Sequence, residues 1–446
     1  MHFYQKAGRI LDKLSQRQGT IKGLVMKEDA KDKKLLYALI CETLKYREVI
    51  DTIIDAADVN RAEKKKLPRT LLQVLVYDLL FGKGLRNAGP YKEVMLRHRS
   101  RLNAELAKIK VRRQCKNNED LIPSHIRNAI VLPRYVRVNT IKTTVEKVMR
   151  HFADKGYSLG LPEELAASEI PPMRIFRDEH LPEMLVMPPN TDLHDDPLLV
   201  EGHIVLQDKA SCFPAFLLRP PKGATVIDAC AAPGNKTSHL SAIMSNTGTI
   251  FAFDKDRARL DTLIRLTTRS GCTNISPIHG SFLDTDPNDP KFAKVEYMLL
   301  DPSCSGSGIV GRMDHLLKDT SENDVDGETD ERVRALADFQ KQVILHAFKF
   351  PAVKRVVYST CSIHRTENED VVQHVLAESP KFGLVANAFP KWTRRGLEGT
   401  FDQADRLVRT LPEEDRTIGF FVALFERQGG HQSAAARRRS KKAKAK

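Results

Sequence analysis

The chain has 446 residues, with 71 Lys and Arg against 57 Asp and Glu, and a formal net charge of +14. This length is enough for about three domains with substantial hydrophobic cores. No run of about 18 apolar residues occurs, which excludes a transmembrane helix. The seven cysteines form neither a Cys-x-x-Cys pair nor a disulfide framework, which argues against structural zinc and indicates a reducing compartment.

The excess of basic charge lies in two appendages. Residues 1–125 carry 27 Lys and Arg against 15 Asp and Glu, and residues 437–446 carry seven Lys and Arg and no acid. The residues between them carry 37 basic against 42 acidic side chains. This distribution is typical of phosphate-backbone binding outside a near-neutral catalytic module. A solvated basic surface that serves solubility is the alternative.

Residues 1–125 are predicted to form a basic helical domain. Two apolar stripes at helical spacing predict its core: Leu35, Leu36, Leu39 and Ile40, and a second stripe within residues 71–80. Lys and Arg clusters between the stripes predict an RNA-facing surface that contacts the backbone, because few aromatic residues accompany them. Residues 3–14 also resemble a mitochondrial transit peptide, but Asp12 favours an ordinary first helix.

Residues 126–200 are predicted to form a small α+β lobe. Alternation over residues 134–140 predicts a strand, and residues 144–155 have the apolar spacing of a helix that stops at Gly156. A second strand is expected over residues 181–187.

Residues 201–427 alternate between strand-like and helical stretches, which predicts an α/β domain with a Rossmann-like sheet of seven strands. The predicted strands are 205–206, 225–230, 249–254, 275–279, 296–301, 355–359 and 419–426. The last is an apolar run typical of a buried strand in mid-sheet. Residues 319–331, with seven acids, are expected to form a mobile loop, and residues 428–446 a disordered basic tail for nuclear or nucleolar targeting, RNA binding, or both.

A candidate cofactor loop follows the strand that begins at Thr225. The run Asp-Ala-Cys-Ala-Ala-Pro-Gly at 228–234 separates this strand from a helical pattern, and small residues in such a turn let a ligand lie against the backbone. The next strand ends in Asp254, where an acid can bind ribose hydroxyls. The turn at 228–234 contains no Gly-x-Gly-x-x-Gly, so this stretch does not match the dinucleotide fingerprint.

Two cysteines stand just after predicted strands. Cys304 follows the strand ending at Asp301, and Cys361 follows the strand ending at Ser359. A lone Cys is more often a small buried hydrophobe, but small polar residues and Gly at loop-like positions make these thiols accessible. The residue pattern alone does not distinguish which thiol is a nucleophile.

The three motifs, at 228–234, 301–306 and 359–362, resemble those of the Nop2/Sun (RsmB-type) family of RNA cytosine-5 methyltransferases. The resemblance spans roughly residues 130–427, and Asp-Pro-Ser-Cys-Ser-Gly and the N-terminal region are most similar to the family's large-subunit ribosomal RNA enzymes. It implies S-adenosylmethionine as cofactor and 5-methylcytosine in large-subunit rRNA as product. It also implies RNA or a pre-ribosomal particle as partner and a nucleolar, nuclear location. We further expect a monomer that needs no metal.

The resemblance also implies site residues. The nucleophile would be Cys361, with Cys304 assisting product release and Asp301 contacting ring nitrogen 3. Asp301 and Arg259 would lie at the cofactor, Asp254 on its ribose, and the loop on its methionine part: Cys230, Ala231, Ala232, Pro233, Gly234, Asn235 and Lys236. Asn235 replaces a family Gly, and Pro302–Ser303 alter the usual Asp-Ala-Pro-Cys order. Candidate substrate contacts are Lys209 and Arg137, although Arg137 suits a structural ion pair equally well.

Methylation of cytosine at carbon 5 needs a thiol for a chemical reason. Carbon 5 of cytosine is a poor nucleophile, and a thiolate that adds to carbon 6 makes carbon 5 enamine-like. The target base must be unpaired or flipped, because a cytosine inside a duplex cannot meet the thiol. Two alternatives stay open: the same chemistry on transfer or messenger RNA, and a non-catalytic RNA-binding factor of ribosome assembly.

Overall fold

The computed structural model describes residues 3–428 except 17, 30–31, 64, 87, 128–129, 167–169, 190 and 311–325. The chain divides into two compact units, whose described parts are residues 3–127 and residues 130–310 with 326–428. The basic tail from residue 429 and the part of the acidic segment up to residue 325 lie outside the described residues. Within the described part, no helix has the length and apolar character to cross a membrane.

The first unit is helical, as the sequence predicts. Its helices are α1 (Phe3–Ser15), α2 (Ile21–Lys27), α3 (Lys33–Lys45), α4 (Arg47–Ala57), α5 (Val59–Ala62), α6 (Arg69–Leu80), α7 (Pro90–Arg97), α8 (Arg99–Arg112) and α9 (Ser124–Arg127). Leu36 and Ile40 of α3 are buried in a single core, with Leu71 and Leu72 of α6. Leu35 is 59% exposed, contrary to its place in the predicted stripe, because it lies about 100° around the helix from Leu36.

The second unit begins with a five-stranded sheet in the order β2-β3-β4-β1-β5. Its strands are β1 (Arg134–Val138), β2 (Ser158–Leu159), β3 (Arg174–Arg177), β4 (Met184–Met187) and β5 (Ile204–Leu206), and its helices are α10 (Val145–Asp154), α11 (Pro162–Ala166) and α12 (Pro197–Val200). Helix α10 begins where the Thr144 hydroxyl accepts the Lys147 N–H.

The strand at 205–206 was predicted for the large sheet, and this is wrong. In the structure Ile204–Leu206 pairs antiparallel with Val136–Val138 of β1 and completes the small sheet. A three-residue strand carries no sequence signal for its partner, so its sheet is set by the tertiary structure. The small sheet therefore extends past the boundary predicted at residue 200.

The large sheet has the order β11-β13-β10-β9-β6-β7-β8, with β12 paired to β13. Its strands are β6 (Thr225–Asp228), β7 (Thr249–Asp254), β8 (Ile275–His279), β9 (Val295–Leu300), β10 (Arg355–Thr360), β11 (Phe382–Leu384), β12 (Val408–Thr410) and β13 (Phe420–Arg427). The strands from β10 to β8 in this order are parallel, and β13 is antiparallel to β10 and β11. This confirms the predicted Rossmann-like α/β fold, although the sheet has eight strands where seven were predicted.

Helices cover both faces of this sheet. They are α13 (Lys209–Leu218), α14 (Asn235–Ile243), α15 (Arg257–Arg269), α16 (Asp326–Phe348), α17 (Glu369–Glu378) and α18 (Pro412–Asp415). Alternate strand residues serve two cores, so Val356 and Tyr358 pack with α16 and α17 while Val357 packs with α13. From β6 the chain continues to one side through β7 and β8 and to the other through β9 and β10. The carboxyl ends of β6 and β9 therefore border the crevice in which such sheets bind ligands.

The acidic segment 319–331 is not a loop throughout. Helix α16 begins at Asp326 and runs for 23 residues. Its later turns bury Val333, Ala337 and Gln340 against the sheet. These buried positions are three and four residues apart, which is the spacing of one face of a helix. The acidic residues at the start of α16 hide this helical pattern in the sequence.

Candidate active site

The predicted cofactor loop joins β6 to α14. Gly234 has φ +103°, and a Cβ there would lie 3.1 Å from Leu263 Cγ and 3.2 Å from Thr267 Cγ2. The loop therefore needs Gly at this position, both for its left-handed backbone and for its close approach to α15. Asn235 is the first residue of α14 and has an ordinary helical backbone, so its replacement of Gly is compatible with this turn.

Asp254 and Arg259 both hold the loop. The Ala232 N–H donates to Asp254 Oδ2 at 3.3 Å, and Arg259 Nη2 donates to the Ala232 carbonyl at 2.6 Å. Asp254 is 5% exposed, whereas the Arg259 side chain is about half exposed. These residues line a cleft together with Cys230 and Ser303. Burial raises the pKa of Cys230 to about 12, so this third cysteine stays a neutral thiol.

Lys236, the second residue of α14, forms an ion pair with Asp301, which follows β9. Lys236 Nζ lies 2.7 Å from Asp301 Oδ2, and Ser359 Oγ donates to Asp301 Oδ1 at 2.6 Å. Burial favours the neutral amine of Lys236, but the Asp301 carboxylate outweighs it and holds the pKa of Lys236 above its ordinary value. Asp301 thus accepts hydrogen bonds through both oxygens. Lys236 is the donor in this pair and Asp301 is the acceptor.

The two cysteines of the predicted site meet. Cys304 Sγ lies 3.1 Å from Cys361 Sγ, and both are free thiols. They meet because β9 and β10 are parallel neighbours, so the segments after Leu300 and Thr360 leave the sheet at the same edge. The hydrogen bond with Cys361 and burial raise the pKa of the Cys304 thiol. Either sulfur can donate the hydrogen bond between them. The charge of Lys236 interacts with Cys361, and a neighbouring cation favours a thiolate there.

The structure also shows a buried ion pair that supports the Cys361 segment. Arg409 of β12 binds Glu369 of α17 at 2.7 and 2.6 Å, and its Nη1 donates to the Ile363 carbonyl at 3.1 Å. Sequence reasoning missed both residues. Their identities look like ordinary surface charges, and only the pairing across β12 and α17 reveals their burial.

Arg137 lies inside the protein, not on an RNA-facing surface. It is 1% exposed, and its guanidinium donates to Gln207 Oε1 at 2.8 Å, to Ser238 Oγ at 2.9 Å and to the Asn235 carbonyl at 3.3 Å. Its role is to attach β1 to the first turn of α14. The burial of Arg137 and these three bonds favour a structural role, and the contact with the substrate stays a prediction.

The charge of Lys209 is likewise used within the protein. Its Nζ lies 2.7 Å from Asp178 Oδ2, 3.0 Å from His180 Nδ1 and 5.4 Å from the Trp392 ring centre. The side chain is 7% exposed and lines a cavity of about 710 Å³.

Among the described His, Cys, Asp and Glu residues, no group has the arrangement of a metal site.

Comparisons with known proteins agree with this geometry. A family model described as "16S rRNA methyltransferase RsmB/F" matches residues 215–426. Two models described as the N-terminal and ferredoxin-like domains of "NOL1/NOP2/Sun domain family member 5" match residues 34–122 and 132–207. A 28S rRNA (cytosine-C(5))-methyltransferase of Mus musculus is 45% identical, over 96% of this chain and 91% of the relative. The chain belongs to the NOL1/NOP2/Sun family.

Other members of the NOL1/NOP2/Sun family extend the comparison. The 25S rRNA (cytosine-C(5))-methyltransferase rcm1 of Schizosaccharomyces pombe is 42% identical, over 95% of this chain and 91% of the relative. The crystal structure of a methyltransferase homologue from Pyrococcus horikoshii has a TM-score of 0.53 at 22% identity, covering 85% of this chain and 99% of that one. Its likeness shows the fold. The family predicted from the three motifs is thus confirmed.

Proposed function

We propose that the chain transfers a methyl group from S-adenosylmethionine to carbon 5 of a cytosine in large-subunit ribosomal RNA. The observation that carries the proposal is the pair of thiols 3.1 Å apart, at the ends of β9 and β10 and beside the cofactor loop. Membership of the NOL1/NOP2/Sun family supports the methyl transfer. The names of the mouse and fission-yeast relatives support large-subunit rRNA as the substrate.

The loop after β6 suits S-adenosylmethionine. Gly234 leaves no room for a side chain, and Asp228 Oδ1 is buried with no hydrogen-bond partner in the described part of the chain. Buried acids at Asp228 and Asp254 complement a ligand that carries an ammonium and a sulfonium charge. We assign residues 230–236 to its methionine part, Asp254 to its ribose, and Arg259 and Asp301 to its edges. When bound, this cofactor supplies an electrophilic methyl group.

The reaction at the base begins with Cys361. Its thiolate adds to carbon 6 of cytosine, while the proton on Lys236, shared with Asp301, stabilises the charge that develops on ring nitrogen 3. Carbon 5 thereby becomes the nucleophile that accepts the methyl group. Loss of the carbon 5 proton to a base then allows the bond between sulfur and carbon 6 to break. Cys304, held as a neutral thiol, donates its hydrogen bond to the departing sulfur of Cys361.

The test is a search for a covalent adduct between protein and RNA. Wild type, Cys361→Ala and Cys304→Ser are each incubated with S-adenosylmethionine and either ribosomal RNA or pre-ribosomal particles, and separated on a denaturing gel. We expect a retarded band that accumulates with Cys304→Ser and is absent with Cys361→Ala. A band with Cys361→Ala but not with Cys304→Ser would exchange the two roles. No adduct and no 5-methylcytosine from wild type on either substrate would favour a non-catalytic assembly factor.

The substrate class has its own test. Transfer and messenger RNA are assayed beside ribosomal RNA, and preferential methylation of either would replace the proposed target. We further propose that the protein acts as a monomer without a metal in the nucleolus, where large-subunit precursors are assembled. Sedimentation, chelator treatment and imaging of the tagged chain check these three statements separately.

A further inference from the structure

Two buried side chains outside the proposed reaction hold the backbone on either side of Cys304. Gln340 Nε2 donates to the Ser303 carbonyl at 3.0 Å, and the Ser305 N–H donates to Glu367 Oε1 at 2.9 Å. Gln340 Nε2 also lies 3.0 Å from the same Glu367 oxygen, so the two side chains form one bracket. The peptide groups before and after Cys304 are therefore both fixed.

The bracket connects the segments of the two thiols. Gln340 comes from α16, whereas Glu367 lies six residues after Cys361, at the end of a 3-10 turn over Arg365–Glu367. Tyr358, three residues before Cys361, lies with its hydroxyl 2.9 Å from Gln340 Oε1 and 2.6 Å from the Glu367 carbonyl. All three side chains have zero exposure. The position of Cys304 relative to Cys361 is thus set through this network.

Glu367 is an unusual residue to bury for packing alone. Its Oε2 has no hydrogen-bond partner within the described residues, and no described Lys or Arg pairs with it. A buried carboxyl with an unpartnered oxygen opposes folding, whereas an apolar side chain of similar size does not. Such a group in a native structure calls for an explanation. The two hydrogen bonds to its Oε1, one of them to the backbone beside Cys304, supply one.

We propose that Glu367 and Gln340 are positioning residues that hold Cys304 against Cys361 and so set the rate at which the covalent intermediate is resolved. This inference rests on the proposed function. Addition of Cys361 to the base needs no contact from Cys304, but departure of Cys361 does. Loss of the bracket therefore slows the late step and leaves the first one intact.

The experiment measures how much enzyme is trapped as the RNA adduct, alongside the rate of 5-methylcytosine formation. For Glu367→Ala we expect adduct to accumulate as it does with Cys304→Ser, and its resolution to slow by about 10- to 100-fold, the effect of a displacement near 1 Å. Glu367→Gln keeps an oxygen that accepts both hydrogen bonds and should resolve its adduct within a few-fold of wild type. Gln340→Met fills the same volume without the amide and repeats the test if Glu367→Ala does not fold.

Ser241→Ala is the matched control, because it removes a buried hydroxyl that donates to Asn274 at 2.6 Å in the same unit. It should lower the melting temperature without changing the fraction of adduct. Two results would overturn the inference, provided that Cys304→Ser still accumulates adduct. In the first, Glu367→Ala and Gln340→Met lose adduct and product together. In the second, they show the same fraction of adduct as Ser241→Ala. If wild type and Cys304→Ser give neither adduct nor product, the proposed function fails and this inference fails with it.

Discussion

Asp228 ends β6 inside the protein and is fully buried. Burial raises its pKa from 3.8 to about 7, although the Thr237 hydroxyl, which donates to Oδ2 at 2.8 Å, opposes this shift. The nearby charge of Asp301 raises the pKa of Asp228 further. Between these two pKa values the folded protein binds a proton that the unfolded chain has lost. The contribution of the Asp228 carboxyl to the stability of the fold is therefore complete below pH 4 and is lost as the pH rises through 7.

Replacing Asp228 by Asn should remove this dependence. The amide oxygen still accepts from Thr237, but the side chain no longer ionises, so the cofactor-free variant gains stability over wild type as the pH rises from 4 to 8. The gain is at most about 4 kcal/mol, the equivalent of three pKa units. Urea unfolding at several pH values measures it, and exposed Asp402→Asn is the control. A difference between variant and wild type that does not change with pH would contradict the raised pKa.

At the residue scale, sequence and structure agree where strand ends fix position. Cys304 and Cys361 were predicted because each follows an apolar run that leads into a loop, and parallel neighbouring strands bring such loops together. The burial of Arg137 and Lys209 was not predicted, because it depends on distant partners, Ser238 and Asp178, that no local pattern reveals. Glu367 was not found for the same reason.

A buried ion pair joins strand β12 to helix α17. Arg409 and Glu369, which are 5% and 0% exposed, are joined by two hydrogen bonds. Breaking such a pair by removing one partner leaves a buried charge uncompensated and costs about 3–5 kcal/mol. Replacing both partners costs much less.

We expect Arg409→Met to lower the free energy of unfolding by about 3–5 kcal/mol, and Arg409→Met with Glu369→Gln to recover most of this loss. The Gln oxygen still accepts the Leu397 N–H, which Glu369 binds at 3.0 Å. Methyl transfer should stay reduced in the double variant, because the Ile363 carbonyl beside the Cys361 segment has lost its Arg409 donor. Denaturant unfolding and single-turnover assays separate the two effects. Recovery of both would assign Arg409 to stability alone.

The elements themselves were predictable in proportion to their length. Strands β6 to β10 and β13, which have four to eight residues each, were expected near their observed positions. Strands β11 and β12 were not found, because three residues give no periodicity. Strand β5 has the same length, and its pairing with β1 depends on the three-dimensional neighbourhood.

At the scale of the whole molecule, charge is distributed unevenly. Residues 1–125 hold 27 Lys and Arg against 15 Asp and Glu. Helix α8 exposes Arg101, Lys108 and Arg112 on one face, at spacings of seven and four residues, and the buried Leu102 and Leu106 lie about 100–140° around the helix from Arg101. Such a face suits contact with a phosphate backbone.

Replacing Arg101, Lys108 and Arg112 by Gln should weaken RNA binding and lower the slope of log affinity against log salt concentration by up to about 2–3, or roughly 0.7–0.9 per lost phosphate contact. Fluorescence anisotropy with ribosomal RNA fragments at several salt concentrations measures the slope. The control removes the same charge from exposed Lys222, Arg265 and Lys294 of the second unit. Equal losses from both sets would indicate an effect of net charge, without an RNA-binding face on α8.

The last strands of the described chain complete the site of the thiols. Strand β13 pairs with β10 from Arg355 to Thr360, and the Gly419 N–H donates to the Gly308 carbonyl, four residues after Cys304. A Cβ at Gly308 would lie 2.1 Å from the Gly419 oxygen, so this contact requires glycine on both segments. During translation the loop after β6 leaves the ribosome long before residues 408–427 exist. A nascent chain therefore contains the proposed cofactor loop first, and the site of the two thiols is complete only after β13 has emerged.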